Sequence, residues 1–290
     1  MHWGINMKKY LLIPLVLLLA GALFAQETAP GLYANDDFQG DMGLVDAINW
    51  VLNNAENDGQ YLIVLGRNER AQNINLRFTD MQARISLRGS GTEELNIEYA
   101  TDRPARSLFT IGPGATLVLE DGIALIGLEA NSHPMIRVEE GGTLIMNGGS
   151  IRGNTAGGDG GGGVYMFSGT FTMNGGTISG NTAGGNRGNG GGVLVREGTF
   201  TMNGGIISGN TARSGGGGVY VTIVGVFIKH PLGSIIYGND APEGLANSAG
   251  GRGHAVDGYA NNRNMIRRNT TAGIGQALSN SQSGAPNGWE

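Results

Sequence analysis

A stretch of fifteen residues occurs twice almost unchanged, and this repetition is the strongest constraint on the fold. GTFTMNGGTISGNTA covers 169–183, GTFTMNGGIISGNTA covers 198–212, and a looser copy, GTLIMNGGSIRGNTA, covers 142–156. Asparagines mark the repeat at Asn154, Asn181, Asn210 and Asn239, in steps of 27, 29 and 29 residues. A fixed period of this length predicts a solenoid, a propeller or an array of repeats.

The internal pattern of one copy decides between these architectures. Three short runs alternate with period two and are separated by turns, at 171–173, 177–179 and 193–195. Leucine-rich repeats need a leucine framework that is missing here, and propeller blades need four antiparallel strands. The sequence therefore predicts an all-β chain, a right-handed parallel β-helix with three strands per coil.

Stacking the copies places like residues in inward columns. The first column is Leu144, Phe171, Phe200 and Phe227; the others are Met146, Met173 and Met202, then Ile151, Ile178, Ile207 and Ile236, then Val164, Val193 and Val219. One coil should not fold alone, because the burial of its few apolar side chains is offset by the entropy cost of ordering the chain.

The same alternation continues upstream without close repetition. Runs of this kind lie at 61–65, 83–87, 95–99, 107–111, 115–119, 123–128 and 135–138. Before them Leu44, Ile48 and Val51 or Leu52 are at helical spacing, and we expect a capping helix that Gly59 ends. The predicted organisation is 1–25 signal peptide, 26–59 lead-in and capping helix, 60–278 β-helix and 279–290 flexible tail.

The N-terminus has the pattern of an export signal. Lys8 and Lys9 precede an apolar run at 10–19 and then small residues, which favours cleavage after Ala25. A membrane anchor is the alternative, although the run is short for a span of about 20 residues. We expect a secreted or cell-envelope protein with no stable transmembrane segment after removal of the signal.

Charge and composition exclude several functions. Removing the two signal lysines changes the formal charge from -5 to -7, which argues against a nucleic-acid partner. The chain has no cysteine, so it lacks disulfides and Cys-based metal sites. His133, His230 and His254 stand apart in the sequence, and we predict no metal and no cofactor.

The Asn positions and the glycine-rich loops favour structural interpretations. Stacked amides hydrogen-bond along a column and tolerate the left-handed backbone of turns. The loops at 157–163, 184–192 and 213–218 lack the GK[ST] ending and the strand-to-helix context of a phosphate-binding loop. We expect these loops to be flexible and solvated.

Outward positions carry little that suggests catalysis. In the clear repeats they are mainly Thr and Ser, as at Thr170, Thr172 and Thr177. A cluster of Glu139, Glu140 and Glu197 with Arg196 is expected at a turn, where charges are usually solvated. We therefore predict no catalytic residues.

A column on the third strand is the best candidate for binding. Tyr165, Leu194 and Tyr220 share one register between inward neighbours, so their side chains are expected to point outward. An exposed stripe of this kind can bind a sugar face or a partner strand. The alternative is that the long glycine-rich loop covers it.

The motifs at 115–224, GATLVLEDG, GGTLIMNGGSI and GGGVYV among them, resemble repetitive exported β-helix proteins of spirochaetes. The units Phe171 to Asn174 and Phe200 to Asn203 also resemble the FxxN repeats of polymorphic outer membrane proteins, with GGGV in place of GGAI. That resemblance implies a surface adhesin. About 65 residues without barrel-type strands follow Gly225, so the sequence departs from the family's pattern of a C-terminal autotransporter barrel, and we do not expect the chain to anchor itself in an outer membrane.

The function predicted from the sequence is an exported, non-catalytic β-helix that binds a polysaccharide or a host or envelope surface. A polysaccharide lyase or glycoside hydrolase on the same scaffold is the alternative. It would require outward Asp or Glu side chains from neighbouring coils to lie about 5 to 10 Å apart. A purely structural spacer is the third possibility.

Overall fold

The computed structural model describes residues 29–101, 106–158, 160–230, 233–238, 241–251 and 253–258, together with the backbone of 266–270, 273–277 and 281–282. The predicted signal peptide and most of the predicted tail lie outside these residues. In the described part of the chain, no helix has the length and apolarity that crossing a membrane requires.

Parallel strands stack coil upon coil into a β-solenoid, which confirms the predicted fold class. The first sheet has eleven strands, β1 (Gly31–Ala34), β2 (Asp37–Gly40), β3 (Gly59–Leu65), β6 (Ala83–Gly89), β9 (Ala115–Leu119), β12 (Thr143–Met146), β16 (Thr170–Met173), β20 (Thr199–Met202), β24 (Val226–Lys229), β28 (Ile266–Thr270) and β29 (Gly273–Ala277). The second has seven, β4 (Glu69–Ala71), β7 (Leu95–Tyr99), β10 (Ile123–Ile126), β13 (Ser150–Arg152), β17 (Thr177–Ser179), β21 (Gly205–Ser208) and β25 (Ser234–Ile236).

Two further sheets complete the coils. The third has eight strands, β5 (Ile74–Leu76), β8 (Phe109–Ile111), β11 (Ile136–Val138), β15 (Val164–Met166), β19 (Val193–Val195), β23 (Val219–Val221), β27 (Val256–Gly258) and β30 (Ser281–Gln282). The fourth, absent from the three-strand prediction, has four two-residue strands, β14 (Thr155–Ala156), β18 (Thr182–Ala183), β22 (Thr211–Ala212) and β26 (Ser248–Ala249). Each of these short strands directly follows a buried asparagine. The fourth sheet therefore adds a paired segment between the strands of the second sheet and those of the third.

The predicted inward columns are confirmed residue by residue. Phe171 pairs in register with Leu144 and with Phe200, and Phe200 pairs with Phe227. The rings of Phe171 and Phe200 are stacked with centroids 4.5 Å apart and planes at 6°, and all three phenylalanines are fully buried. The Met, Ile and Val columns have the predicted registers as well. Side chains of the same or similar type therefore stack on one another in successive coils throughout the repeated region.

A buried row of asparagines joins the coils beside the fourth sheet. The Asn210 amide donates to Ile178 O of the preceding coil at 2.9 Å and to Asn247 Oδ1 of the following coil at 3.0 Å, while its own Oδ1 accepts from the Asn181 backbone N–H at 2.9 Å. Asn181 has the equivalent bonds. The Asn154 amide instead donates to His133 O and Gly162 O, and its backbone N–H donates to Asn181 Oδ1. We call Asn131, Asn154, Asn181, Asn210 and Asn247 the asparagine spine.

The spine differs from the prediction in two respects. Asn239 lies outside the described residues, and the position that follows Asn210 is occupied by Asn247, 37 residues away, because the intervening loop is longer. The left-handed conformation belongs to the residue before each asparagine, Gly153, Gly180 and Gly209, with φ between 62° and 72°. Glycine adopts this conformation without the Cβ strain that asparagine would have.

Both ends of the stack are terminated by non-parallel elements. Helix α1 (Leu44–Asn54) contacts β3 and β4, and it buries Leu44, Ala47, Ile48 and Val51, whereas Leu52 is exposed. The helix therefore has the predicted face, with Val51 and not Leu52 in the core, and it ends before Gly59.

In the segment expected to be a simple lead-in, β1 pairs antiparallel with both β2 and β3. At the other end β29 and β30 pair antiparallel with β28 and β27, which stops the parallel stack.

Phe171→Asp should unfold much of the stack, because an unpaired charge would replace a fully buried ring between two coils, at a cost of several kcal/mol. Thr172→Asp is the matched control, since Thr172 is the next residue on the same strand and points outward. Circular dichroism and urea denaturation of both variants provide the measurement. Equal destabilisation by the two substitutions would contradict the observed register.

Alkaline pH should weaken the fold through Tyr99 at one end of the asparagine spine. Its hydroxyl accepts a hydrogen bond from the Asn131 amide at 3.1 Å, and burial raises the pKa of Tyr99 from 10.0 to about 12. A pKa that is raised on folding gives stability that is complete below pH 10 and is lost as the pH rises towards about 12. The expected loss is roughly 2 to 3 kcal/mol.

Urea denaturation at a series of alkaline pH values tests this expectation. Tyr99→Phe should have a lower free energy of unfolding at neutral pH, because Asn131 loses an acceptor, and a smaller further loss above pH 10. Tyr33→Phe is the control, since Tyr33 is only half-buried. The same alkaline loss in Tyr99→Phe and wild type would assign it to other groups.

Candidate functional site

The predicted binding stripe has the expected register but is not open along its length. Tyr165 pairs with Leu194, and Leu194 with Tyr220, on the outer face of the third sheet. The two tyrosines are half-buried and Leu194 is only 5% exposed. Arg137 precedes Tyr165 in the same row and Asp257 follows Tyr220.

The glycine-rich loops cover the middle of this stripe. The expectation that these loops are solvated is wrong for their C-terminal halves, since 160–164 and 190–195 are buried. A Cβ at Gly161 would lie 2.9 Å from Leu194 N, and one at Gly190, where φ is +66°, would lie 2.3 Å from Val193 O. The repeated GGGV motif is therefore required for close packing against the next coil.

A cluster of rings and guanidinium groups borders the stripe. Arg137 lies 4.6 Å from the centre of the Phe167 ring and Arg196 lies 4.4 Å from it, and the Phe167 ring is edge-on to that of Tyr165. Arg196 also donates to the Tyr165 hydroxyl at 3.4 Å. Because the guanidinium groups already lie against Phe167, this ring is poorly placed to stack on a sugar.

The acidic residues expected at this turn are divided between ion pairs. Glu139 accepts from Arg77 at 2.5 Å and from Arg137 at 3.1 Å, and Glu197 lies 3.9 Å from Arg196. Glu140 is exposed. These contacts have the character of surface ion pairs, which are weak individually and support the local arrangement of rings.

A concave feature lies on the first sheet, near its N-terminal end. It is a groove of about 1020 Å³, and we call it the first-sheet groove. Leu62 on β3 and Arg84, Ser86 and Arg88 on β6 form its floor, since they alternate with the inward residues of their strands. The lining also includes Tyr33, Asn35, Asp36, Gln60, Tyr61, Gly89, Ser90, Gly91, Thr92, Glu120, Asp121, Gly122 and Asn147.

The antiparallel hairpin of β1 and β2 makes one side of the groove. Tyr33 on β1 is the register neighbour of Leu62, and its ring packs against Phe38 of β2 with centroids 5.1 Å apart. From β1 to β12 the strand spacing gives a length of about 19 Å along the solenoid. An extended ligand several units long therefore fits the dimensions of the groove.

Hydrogen-bonding groups continue from the groove along the solenoid. The Asn147 amide donates to both oxygens of Glu120, at 3.0 and 3.1 Å. Asn174 donates to Asn147 Oδ1 at 2.9 Å, and Asn203 donates to Asn174 Oδ1 at 2.8 Å. We call Asn147, Asn174 and Asn203 the outer asparagine row; it fixes the Glu120 carboxylate at one end of the groove.

The histidines do not form a metal site with other ligands. In the described ranges, no three His, Asp or Glu side chains are grouped as metal ligands would be. Partial burial and the nearby charges of Arg106 and Arg137 lower the pKa of His133. His254 instead has a structural contact, because its Nδ1 accepts the Ala249 N–H at 3.1 Å.

Sequence reasoning missed the first-sheet groove, although part of the signal was present. The alternation in ARISLRG places Arg84, Ser86 and Arg88 outward, which is unlike the Thr-rich outer face of the later coils. The antiparallel hairpin that encloses them could not be predicted from 26–40, where we expected only a lead-in.

Comparison with protein-family models, curated proteins and solved structures gave no match to this chain.

Leu194→Ala should cost about 2 to 3 kcal/mol in the free energy of unfolding, since the glycine-rich loops bury this outward side chain. Ile206→Ala is a matched control, because Ile206 also points outward, on β21, and is 36% exposed. We expect a loss below about 1 kcal/mol for it. Urea denaturation measures both, and equal losses would show that the loops do not cover Leu194 in solution.

Proposed function

We propose that the protein is an exported, non-catalytic β-solenoid that binds an extended glycan of a host or envelope surface in the first-sheet groove. The observation that carries the proposal is the groove itself, about 1020 Å³ in volume and lined by residues from four successive coils. Its lining combines amide, hydroxyl and charged groups with the Tyr33 ring. Sugar polymers need such a mixture of hydrogen-bonding groups and apolar surface.

Export and an adhesin-like role form part of the same proposal. The basic and apolar N-terminal pattern supports export to the envelope or beyond. The likeness of the repeats to exported spirochaete β-helix proteins and to FxxN repeats supports surface display. A rigid stack of coils suits this role, because it holds a binding face at a fixed distance from the point of attachment.

The first-sheet groove supports binding better than the stripe of Tyr165, Leu194 and Tyr220. Binding at the stripe would have to use the two half-buried tyrosines, since Leu194 between them is covered. The groove has polar and apolar side chains together across β1, β3 and β6, and no residue of its floor is covered by a loop as Leu194 is. We therefore place the principal contact in the groove and treat the stripe as the competing surface.

A polysaccharide-cleaving enzyme is the second candidate, because carboxylates line the same groove. Asp36, Glu120 and Asp121 come from the β1 hairpin and from the turn after β9. The Asn147 amide already binds both oxygens of Glu120, which leaves Asp36 and Asp121 for acid and base roles. Release of new reducing or unsaturated ends from a glycan, lost in Asp121→Asn, would establish the enzyme in place of the binder.

Filling the groove tests the binding proposal. Ser86→Trp places a large ring on the groove floor, whereas Thr172→Trp places the same ring further along the same outward row, on β16 and outside the groove. Affinity electrophoresis against a panel of plant, host and bacterial polysaccharides is the measurement. We expect Ser86→Trp to weaken binding by about tenfold or more and Thr172→Trp to change it by less than about twofold.

Three results would count against this location or function. Binding that survives Ser86→Trp but is lost in the double variant Tyr165→Ser, Tyr220→Ser would move the contact to the third sheet. Binding that falls equally in both Trp variants would assign it to the open strand face. No binding to any polysaccharide by the folded wild type would overturn the proposed function.

A further inference from the structure

We propose that the first-sheet groove recognises an acidic glycan, in which a carboxylate-bearing sugar alternates with neutral sugars, and that Arg84 binds the carboxylate. This inference rests on the proposed function and specifies its ligand. It begins from the different surroundings of the two arginines on the groove floor. Both lie on β6 and both point outward, separated by Ser86.

Arg88 lies on the side of the groove that carries Glu120 and Asp121. Continuing the register of β6 and β9 places Arg88 beside Glu120, whose carboxylate is fixed by the Asn147 amide. Asp121 follows Glu120 at the same end of the groove. This end therefore contains its own anions and favours neutral, hydrogen-bonding parts of a ligand.

Arg84 has different surroundings at the other end of the strand. It is half-buried, and its register neighbours are the uncharged Gln60 on β3 and Thr116 on β9. Asp36 is the lining carboxylate on this side of the groove, next to Asn35, which bonds to Gln60. Its guanidinium has no hydrogen bond or ion pair with any residue in the described ranges. A half-buried guanidinium with unused donors is suited to an anion, and its planar pair of N–H groups matches a carboxylate.

The overall charge of the groove sets the charge density of the ligand. Two arginines and the three carboxylates of Asp36, Glu120 and Asp121 line it, which gives a formal charge of -1. The whole chain is also acidic, with a formal charge of -5. A polyanion charged on every unit would be repelled, whereas a chain with isolated carboxylates can place one at Arg84 and neutral sugars at the acidic end.

The test compares one oligosaccharide with and without its carboxylates. The probe is a hexasaccharide of alternating glucuronate and N-acetylglucosamine, and the reference is the same hexasaccharide after reduction of its carboxyl groups. Isothermal titration calorimetry with the exported protein gives both affinities. Arg84→Gln removes the charge, and Arg187→Gln is the matched control, because Arg187 is exposed on the loop between β18 and β19 and does not line the groove.

We expect Arg84→Gln to weaken binding of the acidic hexasaccharide by about tenfold or more, and to change binding of the reduced form by less than about twofold. Arg187→Gln should change neither affinity. The preference of the wild type for the acidic probe should also fall as salt is added, because the contact is ionic.

The failure of this inference can be distinguished from the failure of the proposed function. Ser86→Trp could abolish binding of both probes while Arg84→Gln lowers the two affinities equally or leaves both unchanged. In that case the groove binds glycans without recognising a carboxylate, and the inference about Arg84 is wrong. If wild type binds neither probe and no other polysaccharide, both proposals fall. Tighter binding of a fully charged polyanion than of the alternating probe would overturn the argument from charge density.

Discussion

The asparagine spine is the interaction on which the coil stack depends. Each of Asn181 and Asn210 is fully buried and bonds to the coil before it and the coil after it, so one amide fixes the positions of three coils. A buried amide that loses a partner costs about 1 to 3 kcal/mol, which makes this arrangement intolerant of a shift in register. The loops can differ in length provided that the asparagine occupies the same position in each coil. This explains why the step from Asn210 to Asn247 is 37 residues although the earlier steps are 23, 27 and 29.

The repeat made the core predictable. The features that could not be predicted are those that depend on what covers a side chain, which the repetition does not show. Phe171 and Phe200 could be aligned from the sequence because identical side chains one period apart must occupy identical positions. The same logic placed Leu194 on the outer face, but period-two alternation gives the direction of a side chain and not what covers it. The glycines that bury Leu194 resemble a flexible linker in composition. Their function in packing depends on the backbone of the neighbouring coil, which only the folded chain reveals.

The ends of the solenoid show a second limit of sequence reasoning. A parallel stack exposes unpaired backbone groups at its last coil, and such edges promote association with other strands. Here β1 pairs antiparallel with β3, and β29 with β28, so that the repeated pattern gives way to hairpins. The helical spacing of the apolar residues in α1 predicted one cap, with Leu44, Ile48 and Val51 on one face. The hairpin around Asn35 and Asp36 contains no alternating apolar run of comparable length, and the sequence therefore suggested only a lead-in.

The location of the candidate site follows from this ending of the repeat. Where coils are nearly identical, the outer face of a sheet is flat and uniform, and Thr172 and Thr201 present the same surface at each step. A selective site requires a concave shape and side chains that differ from one strand to the next. Both conditions arise on the first sheet beside β1, where the hairpin raises Tyr33 next to Leu62 and the outward positions change to Arg84, Ser86 and Arg88. The regular coils supply rigidity and length, and the irregular first coils form the groove in which we propose that binding occurs.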